Sequence, residues 1–282
     1  PGGLGGRTTT RERLLTAYPQ YSSVSIYNPL LGNFIAHQLQ LNVRRNFAQG
    51  FMLHLAYTAG KTISDSLNTP VNWNLEQNDI GYQDGRYNRR LSRAVDPLDV
   101  SQRAVVSLLY ELPFGPGKHW NPQNRALRRL AGGWQLNAIG VMQTGTPLIV
   151  SGASNYQANR PNATGSAKLP RSQRSSKRWF NTDVFYNPPP FTMGTVGRTL
   201  PDVRNPATLN WDVSAIKNNS IKERFNLQFR AEAFNFTNHV NLGRPASGFS
   251  PGPDGKNASA SFGTITSARD ARVIQLGLKV IF

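Results

Sequence analysis

Seven stretches of the chain alternate between apolar and polar residues with a period of two, the pattern of strands whose two faces meet different surroundings. The last is the clearest. In Ala271–Phe282 (ARVIQLGLKVIF), Ile274, Leu276, Leu278, Val280 and Phe282 share one face, and Val273, Gln275, Gly277, Lys279 and Ile281 share the other. Ala36–Arg45 sets Leu39, Leu41 and Val43 against Gln38, Gln40, Asn42 and Arg44, and Phe51–Gly60 sets Phe51, Leu53, Leu55 and Tyr57 against Met52, His54, Ala56 and Thr58. In Ser101–Leu112 the apolar set is Ala104, Val106, Leu108, Tyr110 and Leu112, with Arg103, Ser107 and Glu111 behind it. Gly133–Gly145 opposes Trp134, Leu136, Ala138 and Met142 to Gln135, Asn137 and Gln143. Thr208–Lys217 opposes Leu209, Trp211 and Val213 to Asn210, Asp212 and Ser214. Phe225–Asn235 opposes Phe225, Leu227 and Phe229 to Asn226, Gln228, Arg230 and Glu232. Residues 1–35 read as loop with a short extended stretch at Ser22–Tyr27.

The connections alternate in length as well. Asn46–Gly50, Pro113–Gly132 and Asn218–Arg224 are the shorter set, and Lys61–Val100, Ser151–Ala207 and Thr237–Ser261 the longer. The pattern therefore predicts an all-β, antiparallel sheet with turns at one end and long loops at the other. The polar faces carry charges and amides, which make a poor dry core but suit a water-filled lumen. Strands of about 9–11 residues, apolar outward and polar inward, with short periplasmic turns and long extracellular loops, describe a transmembrane β-barrel and leave the carboxyl terminus periplasmic. A soluble sandwich would alternate too, but it seldom ends at once on an apolar strand without a polar tail. Because an open sheet edge in lipid strands unpaired N–H and C=O groups, seven strands are expected to be part of a larger barrel. The opening PGGLGG, without an initiator methionine, leads to the same expectation of upstream strands.

On this reading Gln38, Gln40, Asn42, His54, Arg103, Glu111, Asn137, Asp212, Gln228, Arg230, Glu232 and Lys279 face the lumen. Register follows from charge. A turn centred near Ile221 allows Asp212 to lie opposite Arg230 or opposite Glu232, and opposed unlike charges favour the first by roughly 0.2–1 kcal/mol. Glu232 would then find a cation elsewhere, with Lys279 the nearest candidate.

Charge changes the picture little. The chain has 32 Lys+Arg, 24 of them arginine, against 15 Asp+Glu, a net charge of +17. Such an excess suits anionic partners. Yet charged residues make up only 17% of the chain, and the cations fall mostly between the strand-like stretches, so a nucleic-acid face is not expected. The absence of cysteine removes thiol chemistry and disulfides, and no apolar run reaches the roughly 18 residues of a membrane helix. His37, His54, His119 and His239 are widely spaced, and no catalytic or nucleotide-binding motif occurs, so neither enzyme chemistry nor a cofactor is expected. Arg160, Lys168, Arg171, Arg174, Lys177 and Arg178 form a basic run in the longest loop with no acid between them. It is expected to be a solvated, mobile loop, with contact to lipopolysaccharide phosphates or another anionic ligand as the functional alternative. Arg125, Arg128 and Arg129 are expected to be solvated, and Trp134, Tyr110, Trp211 and Phe282 to sit in interfacial girdles.

Six pieces in order carry a resemblance: AYPQYSSVSIYN, LQLNVRRNFAQGFMLHLAYTAGKTISD, VSLLYELPFGPGK, GGWQLNAIGVMQTGTPL, FNLQFRAEAFNFTNHVNLGRP and FGTITSARDARVIQLGLKVIF. Together they resemble the carboxyl-terminal barrel of TonB-dependent receptors, in particular the Oar-like group of Acidobacteria and related bacteria. The resemblance implies that residues 1–282 are the last third of one barrel domain of about 22 strands, with the plug domain outside this chain. It further implies TonB-driven uptake of a bulky ligand of the siderophore, oligosaccharide or peptide class. The outer-membrane assembly machinery would then be a partner. The face Ile274, Leu276, Leu278, Val280 and Phe282 is similar to the insertion signal that ends bacterial outer-membrane barrels. An outer-membrane adhesin or structural barrel acting through its long loops is the alternative, and a soluble nucleic-acid binder a third.

Overall fold

The computed structural model describes residues 4, 6–15, 18–21, 32–48, 50–65, 92–152, 154–156, 158–192, 194–222 and 225–282. The expected stretch Ser22–Tyr27 lies outside them, as do the middle of the first long loop and the two residues 223–224.

Seven long strands form one antiparallel path: β1 (Phe34–Ala48), β2 (Phe51–Ser64), β3 (Gln102–Glu111), β4 (Trp134–Gln143), β5 (Thr208–Lys222), β6 (Phe225–Phe234) and β7 (Val273–Ile281). Each pairs with its neighbours in sequence, and the two residues Ala94–Val95 add an eighth strand beside the far end of β2. β1 and β2 run past their expected ends to Phe34 and Ser64, so they stand taller than β3 and β4. Among the described residues, β1 and β7 are paired on one side only.

Opposed residues share a face, so register reads out the two surfaces. Leu39 faces Ala59, Leu53 faces Leu108, Tyr110 faces Leu136, Ala215 faces Leu136 and Phe229 faces Leu278. Leu39, Leu53, Leu108, Leu136, Leu227 and Leu278 therefore share one surface of a single sheet. Among the described residues no second layer covers it. Leu39 is 65% exposed and Leu278 69%, and side chains in the central strands are only half-buried.

The β5–β6 register differs from expectation. Ser214 lies opposite Glu232, Ile216 opposite Arg230 and Asn218 opposite Gln228. Asp212 thus faces neither Arg230 nor Glu232. β5 continues to Lys222 where a turn was expected, and the register shifts between Ser220 and Lys222 before the chain reverses. Hydrogen bonds replace the expected ion pair. The Asp212 carboxylate accepts from the Asn235 backbone N–H (2.9 Å) and the Asn210 amide (2.9 Å), and Gln228 donates to the Asn218 side chain (2.9 Å). Glu232 sits between Ser214 and Gln275, and Lys279 lies opposite Gln228 instead.

The buried core lies outside the sheet. Leu148, Val150, Ala167, Phe180, Phe185, Val196, Leu200 and Val203 from the β4–β5 connection pack with Phe249 and Phe262 from the β6–β7 connection. Phe262 meets Phe180, Phe185 and Phe249 edge-on at centroid distances of 5.1, 5.6 and 6.0 Å. Backbone bonds stitch the two connections together: Phe249 N–H to Ser151 O (2.6 Å), Trp179 N–H to Gly263 O (2.9 Å) and Ile265 N–H to Ser176 O (2.6 Å). At Gly152 (φ +119°) a Cβ would stand 2.0 Å from the Phe249 carbonyl, so only glycine fits there. The expected mobile loop is thus a packed unit, because it contributes enough aromatic and aliphatic surface to bury. Replacing Phe262 by alanine should cost about 3–5 kcal/mol of that unit's stability. Hydrogen exchange should then accelerate at residues 148–150 and 179–185 while the ladder from β2 to β4 keeps its protection.

Candidate functional site

The second surface of the sheet collects the polar residues in rows. One row runs Gln40, Thr58, Arg103, Gln143, Thr208. Arg44, His54, Ser107, Ile139 and Asp212 form another, and Asn137, Ser214, Glu232 and Gln275 a third. Gln38 lies opposite Gly60, Asn42 opposite Ala56, Glu111 opposite Gln135, Arg230 opposite Gly277 and Lys279 opposite Gln228. All twelve residues read from the sequence as lumen-facing therefore share this surface. Hydrogen bonds order parts of it, with Gln135 donating to Asn137 (3.1 Å), Asn137 to Ser214 (3.2 Å), and Lys118 pairing with Glu111 (2.7 Å). The surface is not uniformly polar: Val105, Val141, Ile139 and Leu109 share it as well.

At the loop end of this surface lie two cavities that share Thr208 and Arg269. One, of about 410 Å³, is lined by Gln143, Asn205, Arg244 and Ser267, and the other, of about 520 Å³, by Asn210, Asp212, Asn235 and Asp270. Their amides are largely committed to the frame. Asn241 holds the Leu209 N–H (2.8 Å) and donates to its carbonyl (2.9 Å), and Asn235 donates to the carbonyls of His239 (3.0 Å) and Asp270 (3.3 Å).

Polar ties fix the loops over the same end. Arg204 reaches the Asp99 carboxylate at 2.5 Å and donates to the carbonyls of Asp99 (2.9 Å) and Gly145 (3.1 Å). Asp99 also accepts from the Thr62 backbone N–H (2.6 Å), so one carboxylate joins β2, the first long loop and the second. Arg198, fully buried, donates to the Ser64 hydroxyl (2.5 Å) and carbonyl (3.1 Å), and Ser64 donates to Asp96 (2.7 Å). Sequence reasoning passed over these residues, although acids so scarce in a basic chain were a usable signal.

The basic run separates under the structure. Arg160 is 1% exposed, which corrects its assignment to an anion-contacting loop: it is walled in by the loop unit. Arg174 donates to the Leu169 carbonyl (2.9 Å) and lies 5.9 Å from the Trp179 ring, and Arg178 pairs with Asp183 (2.9 Å). Lys168, Arg171 and Lys177 stay exposed. Among the described residues no cluster of histidine and carboxylate side chains could hold a metal ion.

A family model for an outer membrane beta barrel domain matches residues 1–275. The chain belongs to that family. No curated protein and no solved structure matches it. Membership gives the bare leucine surface its partner, since in the outer membrane acyl chains cover it. The rim of that surface at the turn end agrees. Arg45 lies over the Phe51 ring (5.2 Å), Phe51 packs edge-on against Tyr110 (6.1 Å), and Lys217 lies 5.1 Å from the Trp134 ring. The ten residues of β3, at about 3.4 Å each and tilted by roughly 40°, rise about 25 Å, the height of the apolar band.

Two outcomes follow from this geometry. Leu108→Arg, on the leucine surface, should cost about 2–4 kcal/mol, whereas Ser107→Arg on the other surface should cost well under 1 kcal/mol. Urea titration of the protein in lipid vesicles measures both. Arg204→Met should cost about 2–3 kcal/mol, less than a fully buried pair because Arg204 is 26% exposed. Faster protease cleavage of the β4–β5 connection in the protein reconstituted in detergent micelles is the readout.

Proposed function

We propose that this barrel segment serves TonB-dependent uptake, as lumen wall and as the fixed outer mouth through which a bulky ligand enters. The observation that carries the reading is the compact loop unit tied by Asp99–Arg204 and Arg198–Ser64 to the end of the polar surface. A mouth held in one shape is what selective admission requires, since loops that must be ordered on binding lose affinity to that ordering. In this reading the polar surface is the lumen, and the unpaired edges of β1 and β7 continue into further strands of a barrel of about 22. The carboxyl terminus is periplasmic, and Ile274, Leu276, Leu278, Val280 and Phe282 are read by the assembly machinery. Lys168, Arg171 and Lys177 meet lipopolysaccharide phosphates. TonB acts through parts outside these residues.

The test is uptake by cells with and without the gene, offered iron–siderophore, oligosaccharide and peptide in separate assays. Uptake of one class should fall at least about tenfold on deletion. Collapse of the inner-membrane proton gradient should reproduce that loss. Unchanged uptake of every class, with loss of attachment to surfaces, would replace the reading by the adhesin one.

A further inference from the structure

The connection from β3 to β4 holds a helix that alternation did not reveal. α1 (Arg125–Ala131, RALRRLA) starts at Asn124, whose side chain accepts from the N–H groups of Ala126 (2.8 Å) and Leu127 (3.2 Å). At about 100° per residue, Ala126, Leu127, Leu130 and Ala131 occupy one arc of about 140°, and Arg125, Arg128 and Arg129 fill an arc of about 100° opposite. Among the described residues nothing covers the apolar arc, with Leu127 at 56% and Leu130 at 67% exposed. The whole connection, Leu112–Gly133, contains Lys118 and the three arginines and no carboxylate.

The helix is tethered to the leucine surface. Lys217 Nζ donates to the carbonyls of Arg129 (2.8 Å), Leu130 (2.9 Å) and Gly132 (2.7 Å), and the Trp134 indole donates to Leu130 O (2.8 Å). Lys217 and Trp134 are opposed residues, and they share the face of Leu136 and Leu108. Both anchors therefore stand on the lipid side of the wall, at its turn-end rim, and not on the polar surface. Close approach of Gly115 and Gly132 folds the connection back; a Cβ on Gly115 would lie 3.0 Å from the Gly132 Cα.

We propose that α1 is an interfacial helix of the leaflet at the turn end of the barrel, with Leu127 and Leu130 at the acyl boundary and Arg125, Arg128 and Arg129 on anionic phospholipid headgroups. Continuity with the acyl-covered surface selects lipid over bulk water. A narrow apolar arc beside a basic one is the composition that holds a helix in the plane of such a boundary. Each arginine near an anionic surface is worth about 1 kcal/mol, or roughly fivefold in binding. The inference needs the barrel but not its transport role.

These 282 residues contain no cysteine, so a single one introduced among them gives the labelled position, with any cysteine elsewhere in the full-length protein replaced by serine. A fluorophore is placed on Ala126→Cys, with Lys177→Cys at the far end as control, in the full-length protein reconstituted into phosphatidylcholine vesicles with or without phosphatidylglycerol. Intact assembly is verified by heat-modifiable electrophoretic mobility. The Ala126 probe should be quenched by lipid carrying a shallow nitroxide and shielded from aqueous iodide, and phosphatidylglycerol should raise the lipid quenching. In R125Q/R128Q/R129Q that phosphatidylglycerol effect should fall at least about tenfold while the barrel stays assembled. A probe open to iodide and indifferent to lipid nitroxide would overturn the proposal. A phosphatidylglycerol effect unchanged in the triple variant would overturn it equally.

Discussion

Every backbone N–H and C=O that enters the hydrocarbon layer must find its partner within the protein, because no water waits there to replace it. The rest of this structure depends on that constraint. It makes each of β1–β7 pair with its sequence neighbour, and it converts a one-residue slip into a full exchange of lipid-facing and water-facing side chains. Register is thus held by side-chain chemistry along whole strands. The β5–β6 hairpin illustrates the balance: Ser214 with Glu232 and Asn218 with Gln228 replace a direct ion pair, and Asp212, Ser214, Asn218, Gln228, Arg230 and Glu232 still keep to one surface.

Among the described residues the buried cluster lies in the loops and not on the sheet, and in this the sheet differs from a soluble fold. Its apolar surface waits for a solvent other than water, so packing density is concentrated elsewhere. The loops supply it. Four phenylalanines and the aliphatic residues around them give the loop end a close-packed interior of its own. Edge-on ring contacts and the short backbone bonds between the two connections hold it together. The wall is therefore stabilised by its ladder and by lipid, and the loop unit by ordinary hydrophobic burial.

The join between those two regimes is polar. Asp99, Arg204, Arg198, Ser64 and Asp96 sit where the tall ends of β2 leave the sheet and the loop unit begins. Buried charges at such a junction demand partners, and here the aspartates come from the β2–β3 connection and the arginines from the β4–β5 connection, so the cluster sets how the loops stand on the wall. At the opposite rim Lys217 plays a comparable part on a smaller scale by taking the last carbonyls of α1.

The sequence by itself determined the strands, their two faces and the asymmetry of the connections. A period of two fixes which side chain goes to which surface, whatever the neighbours are. That is why all twelve polar positions from Gln38 to Lys279 fall on one side. The alternation could not tell where β5 stops, because Asn218 and Asn219 read as turn residues and yet continue the ladder. Nor could it tell that Arg160 is buried, since a basic residue in a Pro- and Asn-rich stretch looks solvated until Phe180, Phe185 and Phe262 are brought together from distant segments. Those outcomes belong to tertiary structure alone. Irregular backbone has no period, and its contacts are decided by which loops the ladder sets side by side.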